Sequence, residues 1–222
     1  VANSIQFFLD NPIFGVGIKN FRVESASKRY DNLDHPKNTG IDEWGKKYRE
    51  KHWNKYAYGL VKTAQIILND AIINKYTNIV ILEDDNIYDN NFVELFNKYM
   101  KQLPKNWEIV KLAAAAFTKP RYVTNNVIHV QKSNATHAVL YNKNVFKRLL
   151  ENLKKENAPY DDAINLIKPN MYIFYPGLFQ PCQSFSDITC KNVNHAGDMQ
   201  YLKNDKIEKL IANHHSRISV PS

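Results

Sequence analysis

Short apolar runs alternate along the chain with amphipathic stretches, and the alternation has an α/β rhythm. The clearest run is Asn78-Ile79-Val80-Ile81-Leu82, which stops abruptly at Glu83-Asp84-Asp85. Ile79 to Leu82 predicts a strand buried on both faces. Upstream, Trp44 to Asn69 predicts a long helix, with Leu60, Val61, Ala64, Ile67 and Leu68 at helical spacing. Ser4 to Leu9 predicts a helix end that Asn11-Pro12 closes, and Asn20 to Ala26 alternates as a short strand. Ser27 to Asp42, with Pro36 and Gly40, reads as a loop. Downstream, Asn91 to Lys101 predicts a helix with Phe92, Leu95, Phe96 and Tyr99 on one face, ended by Pro104. Glu108 to Leu112 is the next strand, and Val127–Val130 with His137–Tyr141 predicts a hairpin. Asn142 is placed to cap a helix from Lys143 to Glu156. Ala163 to Leu166 predicts a short helix and Met171 to Tyr175 a strand, after which periodicity fades.

This order predicts an α/β sandwich with a mostly parallel sheet and a late antiparallel hairpin. Residues 1–222 read as a single domain, with 189–222 as a C-terminal extension. The chain opens at Val1 without Met and reads as an excised domain or ordered fragment. At most one strand precedes the acid-bearing one, so a further strand is expected upstream of Val1.

Composition narrows the partners. Hydrophobic residues are 44% and charged residues 23% of 222, ordinary for a soluble globular domain. No apolar run reaches membrane-spanning length. The compartment, cytoplasmic or lumenal, is left to flanking sequence. Net charge is +8, which suits an anionic partner such as nucleic acid, a membrane surface or a phosphorylated small molecule. The lysines are dispersed, however. The densest patch, Lys46-Lys47-Tyr48-Arg49-Glu50-Lys51, fits a solvated helix face, so no nucleic-acid partner is expected. Two cysteines, Cys182 and Cys190, make no disulfide framework, and free thiols suit so sparse a pair.

Three segments carry candidate chemistry. Ligands of open α/β sheets bind just outside the carboxyl ends of strands, where Glu83, Asp84 and Asp85 stand. A divalent cation most simply relieves their mutual repulsion, and all-oxygen ligation suits Mn2+ or Mg2+ rather than zinc. Such an ion would keep open positions for phosphate oxygens and neutralise a diphosphate leaving group. An acidic strand end also opens ordinary surface loops. Pro159-Tyr160-Asp161-Asp162 starts a helix, where acids either cap the terminus or act as a general base on an acceptor hydroxyl. Tyr175-Pro176-Gly177-Leu178-Phe179-Gln180 and then Ser184-Phe185-Ser186-Asp187-Ile188 place Gln180, Ser186 and Asp187 in a loop after a strand. His195 follows that block.

These segments, in this order, resemble glycosyltransferase family twenty-five, which holds lipooligosaccharide and procollagen galactosyltransferases. Val80 to Asp85 resembles its ILEDD signature, and Thr136 to Tyr141 is similar to a later strand of small residues and an aromatic. Pro159-Tyr160-Asp161 resembles its proline–apolar–aspartate segment, and Tyr175 to Ile188 its YP…Q…SDI block. The stretch Phe21 to Ala26 fits the strand that precedes its long helix. The resemblance spans roughly Phe21 to Ile188.

It implies a GT-A fold, a UDP-sugar donor and a divalent metal. It further implies inverting transfer of a hexose, galactose or glucose, to a glycan or hydroxylated protein acceptor. On that basis Asp85, with Glu83 and Asp84, carries the metal, and His195 is a late ligand. Asp161 is the base, with Asp187 as its rival, and Ser25, Ala26 and Gln180 join Glu83 and Asp84 around the donor. The opening strand and arginine-containing loop of that family have no counterpart here. Tyr56-Ala57-Tyr58-Gly59-Leu60 stands where its helix carries Ser-His. Trp44, Trp53, Tyr56 and Tyr58 are then either helix core or stacking surfaces. Two other readings remain. One is a divalent-metal nuclease built on Glu108 and Lys111, which strand geometry places on opposite faces. The other is a silent UDP-sugar-binding module. Sugar identity and oligomeric state stay open.

Overall fold

The computed structural model describes residues 13–14, 55–83, 86–88, 91–112, 114–116, 121–181, 184–186 and 191–193. In chain order the elements begin with β1 (Ile13–Phe14), α1 (Lys55–Ile73), β2 (Asn78–Leu82), β3 (Asn86–Tyr88) and α2 (Phe92–Met100). Then come β4 (Ile109–Lys111), β5 (Ala115–Ala116), β6 (Arg121–Tyr122), β7 (Val127–Val130), β8 (Ser133–Asn134) and β9 (Ala138–Asn142). The last are α3 (Lys143–Leu153), α4 (Tyr160–Leu166), β10 (Met171–Phe174), β11 (Phe179–Pro181), β12 (Ser184–Ser186) and β13 (Lys191–Val193).

The main sheet has seven strands in the order β1-β2-β9-β4-β10-β7-β6. It is mixed, not mostly parallel. β1 with β2 and β4 with β10 are parallel, while β2–β9, β9–β4, β10–β7 and β7–β6 are antiparallel. Strands β1, β2, β4, β10 and β6 still point one way. The reversed β9 and β7 slot between them and convert most contacts to antiparallel.

The expected hairpin does not form. Val127–Val130 pairs with β10 and β6, and Ala138–Asn142 lies between β2 and β4. The seven residues between the two runs hold β8, which pairs with β5 instead. β1 is a strand that the sequence pattern did not announce. The Ser4–Leu9 helix, the Asn20–Ala26 strand and the Trp44–Asn54 part of the long helix lie outside the described residues.

Strand alternation divides the core in two. Ile79, Ile81, Ile109, Val139, Tyr141, Met171 and Ile173 face the layer of α1, α3 and α4. Val80, Val110, Ala138, Leu140, Tyr172 and Phe174 face α2, against Phe96 and Tyr99. This is the period-2 rule applied to a sheet covered on both faces. α1 follows helical spacing through Tyr58, Val61, Leu68 and Ala71, all fully buried. It ends on Lys75 at φ 58°, with Tyr76 N–H on Ala71 O and Lys75 N–H on Ile72 O. That pair of bonds is a left-handed C-terminal cap, made without the usual glycine. α3 opens as expected, with Asn144 N–H donating to Asn142 Oδ1 at 3.0 Å. Among the described residues no helix is long and apolar enough to cross a membrane.

Leu140 is fully buried at the centre of the sheet, on the α2 face. Leu140→Ala is expected to cost about 3 kcal/mol. For a chain of this size that lowers Tm by roughly 6–12 °C. Thermal melting followed by circular dichroism checks it, and a shift under 2 °C would refute this account of the core.

Candidate functional site

The carboxyl ends of β2, β4 and β10 share one edge of the sheet, and backbone hydrogen bonds continue across it. Glu83 N–H donates to His137 O at 2.7 Å, Leu112 N–H to Ala138 O at 2.9 Å, and Leu178 N–H to Leu112 O at 2.7 Å. Asn86 Nδ2 donates to Glu83 O at 2.7 Å and to His137 O at 2.6 Å. His137 O therefore anchors the backbone of Glu83 and the side chain of Asn86 together. Glu83 and Asn86, which flank Asp84 and Asp85 in sequence, are thus both fixed. β3 then pairs with β11, setting Ile87 opposite Gln180 and Asn86 opposite Pro181. The chain folds the two polar segments, nearly a hundred residues apart, onto the same ribbon.

Continuing the strand alternation, Glu83 and Lys111 both turn toward the α1, α3 and α4 layer. Glu83 Oε1 accepts from Thr136 Oγ1 at 3.0 Å. Lys111 is fully buried. Its Nζ donates to Ser133 O at 3.3 Å, Asn134 O at 3.2 Å and Ala135 O at 2.7 Å. Asp161 sits in the first turn of α4, where its Oδ1 accepts from Asp162 N–H at 2.9 Å. Beside it the hydroxyls of Tyr160 and Tyr141 share a hydrogen bond of 2.6 Å.

Burial pushes the Lys111 ammonium down to about 8, although the charges of Asp161 and Glu83 pull it back up. Burial pushes both tyrosines up, and the nearby Glu83 charge adds to it. The sign for stability follows from proton counts. Between about pH 8 and its unfolded value of 10.5, Lys111 binds fewer protons folded than unfolded, so stability rises with pH. Above pH 10, unfolded tyrosines ionise while the buried pair does not, and the trend reverses. Urea titrations should show stability climbing by roughly 1–2 kcal/mol from pH 8 toward 10, the tyrosines already offsetting part of the lysine's gain near pH 10. Lys111→Met should flatten the climb. A flat profile in the unsubstituted protein would sink this reading.

A hollow between α1 and the end of β2 is lined by Leu60, Ala64, Ile81, Glu83, Thr136 and Tyr160, among others. It has room for about 10 Å³ of water-sized space, one water and not a sugar ring.

Of the expected site residues, Glu83 and Asp161 both lie close enough for their charges to act on Lys111, and Gln180 lies on β11. Asp84, Asp85, Ser25, Ala26, Asp187 and His195 lie outside the described residues, as do Cys182, Cys190, Trp44 and Trp53. Among the described residues no group of three His, Cys, Asp or Glu side chains gathers. Tyr58 is core rather than a stacking surface: it is fully buried and donates to Glu156 Oε2 at 2.9 Å. The nuclease pair is not assembled. Glu108 Oε2, at the start of β4, accepts from Arg148 at 2.9 Å and from Asn170 N–H at 2.8 Å, while Lys111 is at the other end.

Sequence reasoning missed Lys111 as a site residue, and with it Thr136 and Asn86. The one available signal was a lysine inside the apolar run Ile109-Val110-Lys111-Leu112.

No family model matches the chain, and no curated protein matches it. Solved structures offer partial likeness. UDP-glucose pyrophosphorylase complexed with UDP-glucose aligns at 9% identity over 53% of this chain and 52% of that one, with a TM-score of 0.33. Mouse xyloside xylosyltransferase 1, in its apo form, aligns at 14% identity over 65% and 57%, with a TM-score of 0.32. Apo UDP-glucose pyrophosphorylase aligns at 9% identity over 93% and 81%, with a TM-score of 0.34. The chain thus matches little more than half the length of the first two. At TM-scores below one-half the likeness carries no functional weight.

Proposed function

We propose that the chain is a single catalytic domain of the GT-A type. It moves a hexose, galactose or glucose, from a UDP-sugar to a hydroxyl of a glycan or hydroxylated protein, with inversion. One observation carries the reading. Segments far apart in sequence, Glu83 with Asn86 and Thr136, Lys111 with Asp161 near it, and Gln180 opposite Ile87, converge at the carboxyl edge of the sheet.

The donor set fits a hard divalent cation. Asn86 Oδ1 is buried with no hydrogen-bond partner among the described residues, and its Nδ2 is held by two carbonyls, so the amide cannot be turned to hide the oxygen. An acceptor left so costs about 1–3 kcal/mol, which an oxygen-seeking cation would relieve. Asp85, Asp84 and Glu83 would hold Mn2+ or Mg2+, with Asn86 Oδ1 as a further oxygen and His195 as a late ligand. When bound, the ion supplies charge neutralisation for the departing diphosphate. Ser25, Ala26 and Gln180 hold the donor. Asp161 takes the proton of the acceptor hydroxyl at its carboxylate as that oxygen attacks the anomeric carbon, and Asp187 is the rival for this role. A single in-line displacement needs one base and no covalent nucleophile.

The test is a panel of UDP-sugars with the full-length protein and Mn2+. Metal-dependent sugar release is expected even without acceptor. UDP binding without any turnover would indicate a silent binding module. Neither turnover nor metal-dependent binding would end the proposal.

A further inference from the structure

We propose that Lys111 is the positioning residue of the acidic edge: it holds the 133–135 segment so that Thr136 is laid on Glu83, and thereby sets Glu83 for the cation and diphosphate. This rests on the function proposed above.

An ammonium group has three protons to donate, and the three carbonyls of Ser133, Asn134 and Ala135 take them all. Lys111 is fully buried as well. It has nothing left to offer a phosphate, so it is not a catalytic residue. What it does instead is gather three successive carbonyl oxygens around one point. The chain must curl to allow this, and Ala135 takes φ 72°, which a residue with a Cβ rarely adopts. The ammonium compensates the curl.

The next two residues deliver the consequence. Thr136 Oγ1 donates to Glu83 Oε1 at 3.0 Å, and His137 O receives Glu83 N–H and Asn86 Nδ2. On its other side the segment is tied to α4. Ser133 N–H donates to Asn165 Oδ1 at 3.1 Å and Asn165 Nδ2 returns to Ser133 O at 3.0 Å. Asn165 is one helical turn beyond Asp161 on the same face. Lys111 thus fastens the segment that joins Glu83 to α4, the helix that carries Asp161. A purely space-filling role would be served better by an apolar side chain, since a buried charge is costly to desolvate.

The experiment measures Mn2+ and UDP binding by calorimetry in the full-length protein, with Tm recorded for each variant. Thr136→Val removes only the hydroxyl and is expected to weaken Mn2+-dependent UDP binding about 10-fold with little change in Tm. Lys111→Met is expected to cost a similar factor. The double variant should lose no more than either single one, because both act through Glu83. Lys111→Arg keeps the charge, but a planar guanidinium does not converge on three carbonyls, so it should share the loss. Unchanged binding in Thr136→Val overturns the proposal even where Lys111→Met fails to fold. Losses that multiply in the double variant also overturn it, because a general structural weakening would give that result. Absence of Mn2+ and UDP binding in the unsubstituted protein removes the parent reading, and this proposal with it.

Discussion

Asp85→Asn in the full-length protein is expected to reduce Mn2+-dependent release of hexose from its UDP-sugar by roughly a thousandfold or more, with Tm almost unchanged. The substitution keeps the size of the side chain and removes one negative charge and one metal-seeking oxygen. A hard cation held by few carboxylates loses much of its affinity when one of them is neutralised. The effect should be large because the described residues on either side of Asp84 and Asp85 are both fixed to one carbonyl. Glu83 and Asn86 flank the pair, and both are tied to His137 O, at 2.7 and 2.6 Å. Raising Mn2+ should recover part of the activity if affinity is the main loss. Retention of metal-dependent turnover in Asp85→Asn would remove Asp85 from the metal site.

Asp161→Asn is expected to act on a different step. Transfer to an acceptor hydroxyl should fall by about 10²–10⁴-fold, the usual contribution of a positioned base. Release of sugar to water without acceptor, and binding of Mn2+ and UDP, should change far less. The split distinguishes a base from an acid that only stabilises the helix's first turn. Pro159 is the N-cap and makes no side-chain cap bond; Asp161 lies in the first turn and accepts from Asp162 N–H at 2.9 Å, a bond that an asparagine oxygen can also accept. A purely helix-stabilising role therefore predicts no selective loss of transfer, only a Tm lowered by a few degrees through loss of the charge at the helix N-terminus. Kinetics with and without acceptor, together with melting curves, decide between them. If Asp161→Asn transfers normally, the role of base passes to Asp187.

Much of the element pattern was legible in the sequence. Ile79, Val80 and Ile81 are buried on both faces of β2, as a continuous apolar run requires. The helices at Phe92–Met100 and Lys143–Leu153 fall where amphipathic spacing put them. Asn142 caps the second, because a side-chain acceptor just before an apolar stripe is a local signal. The order of strands was not legible. The two runs read as a hairpin, Val127–Val130 and His137–Tyr141, are separated in the sheet by β4 and β10. Alternation tells which side of a strand is apolar and says nothing about which strand lies beside it.

The sequence by itself determined that a core strand ends in Glu83-Asp84-Asp85, that Asp161 opens a helix, and that Gln180 follows a strand. Those are properties of neighbours along the chain, set by periodicity and by the abrupt change from apolar to acidic. Only the tertiary structure decided that β9 runs between β2 and β4, bringing His137 O to Glu83 and Thr136 to its carboxylate. Only it decided that Lys111, in the sequence just a lysine inside an apolar run, is enclosed with its ammonium on three carbonyls and within reach of the charges of Glu83 and Asp161. A buried charge is tolerated where distant backbone groups converge on it, and convergence of that kind is a fact of packing that no local pattern encodes.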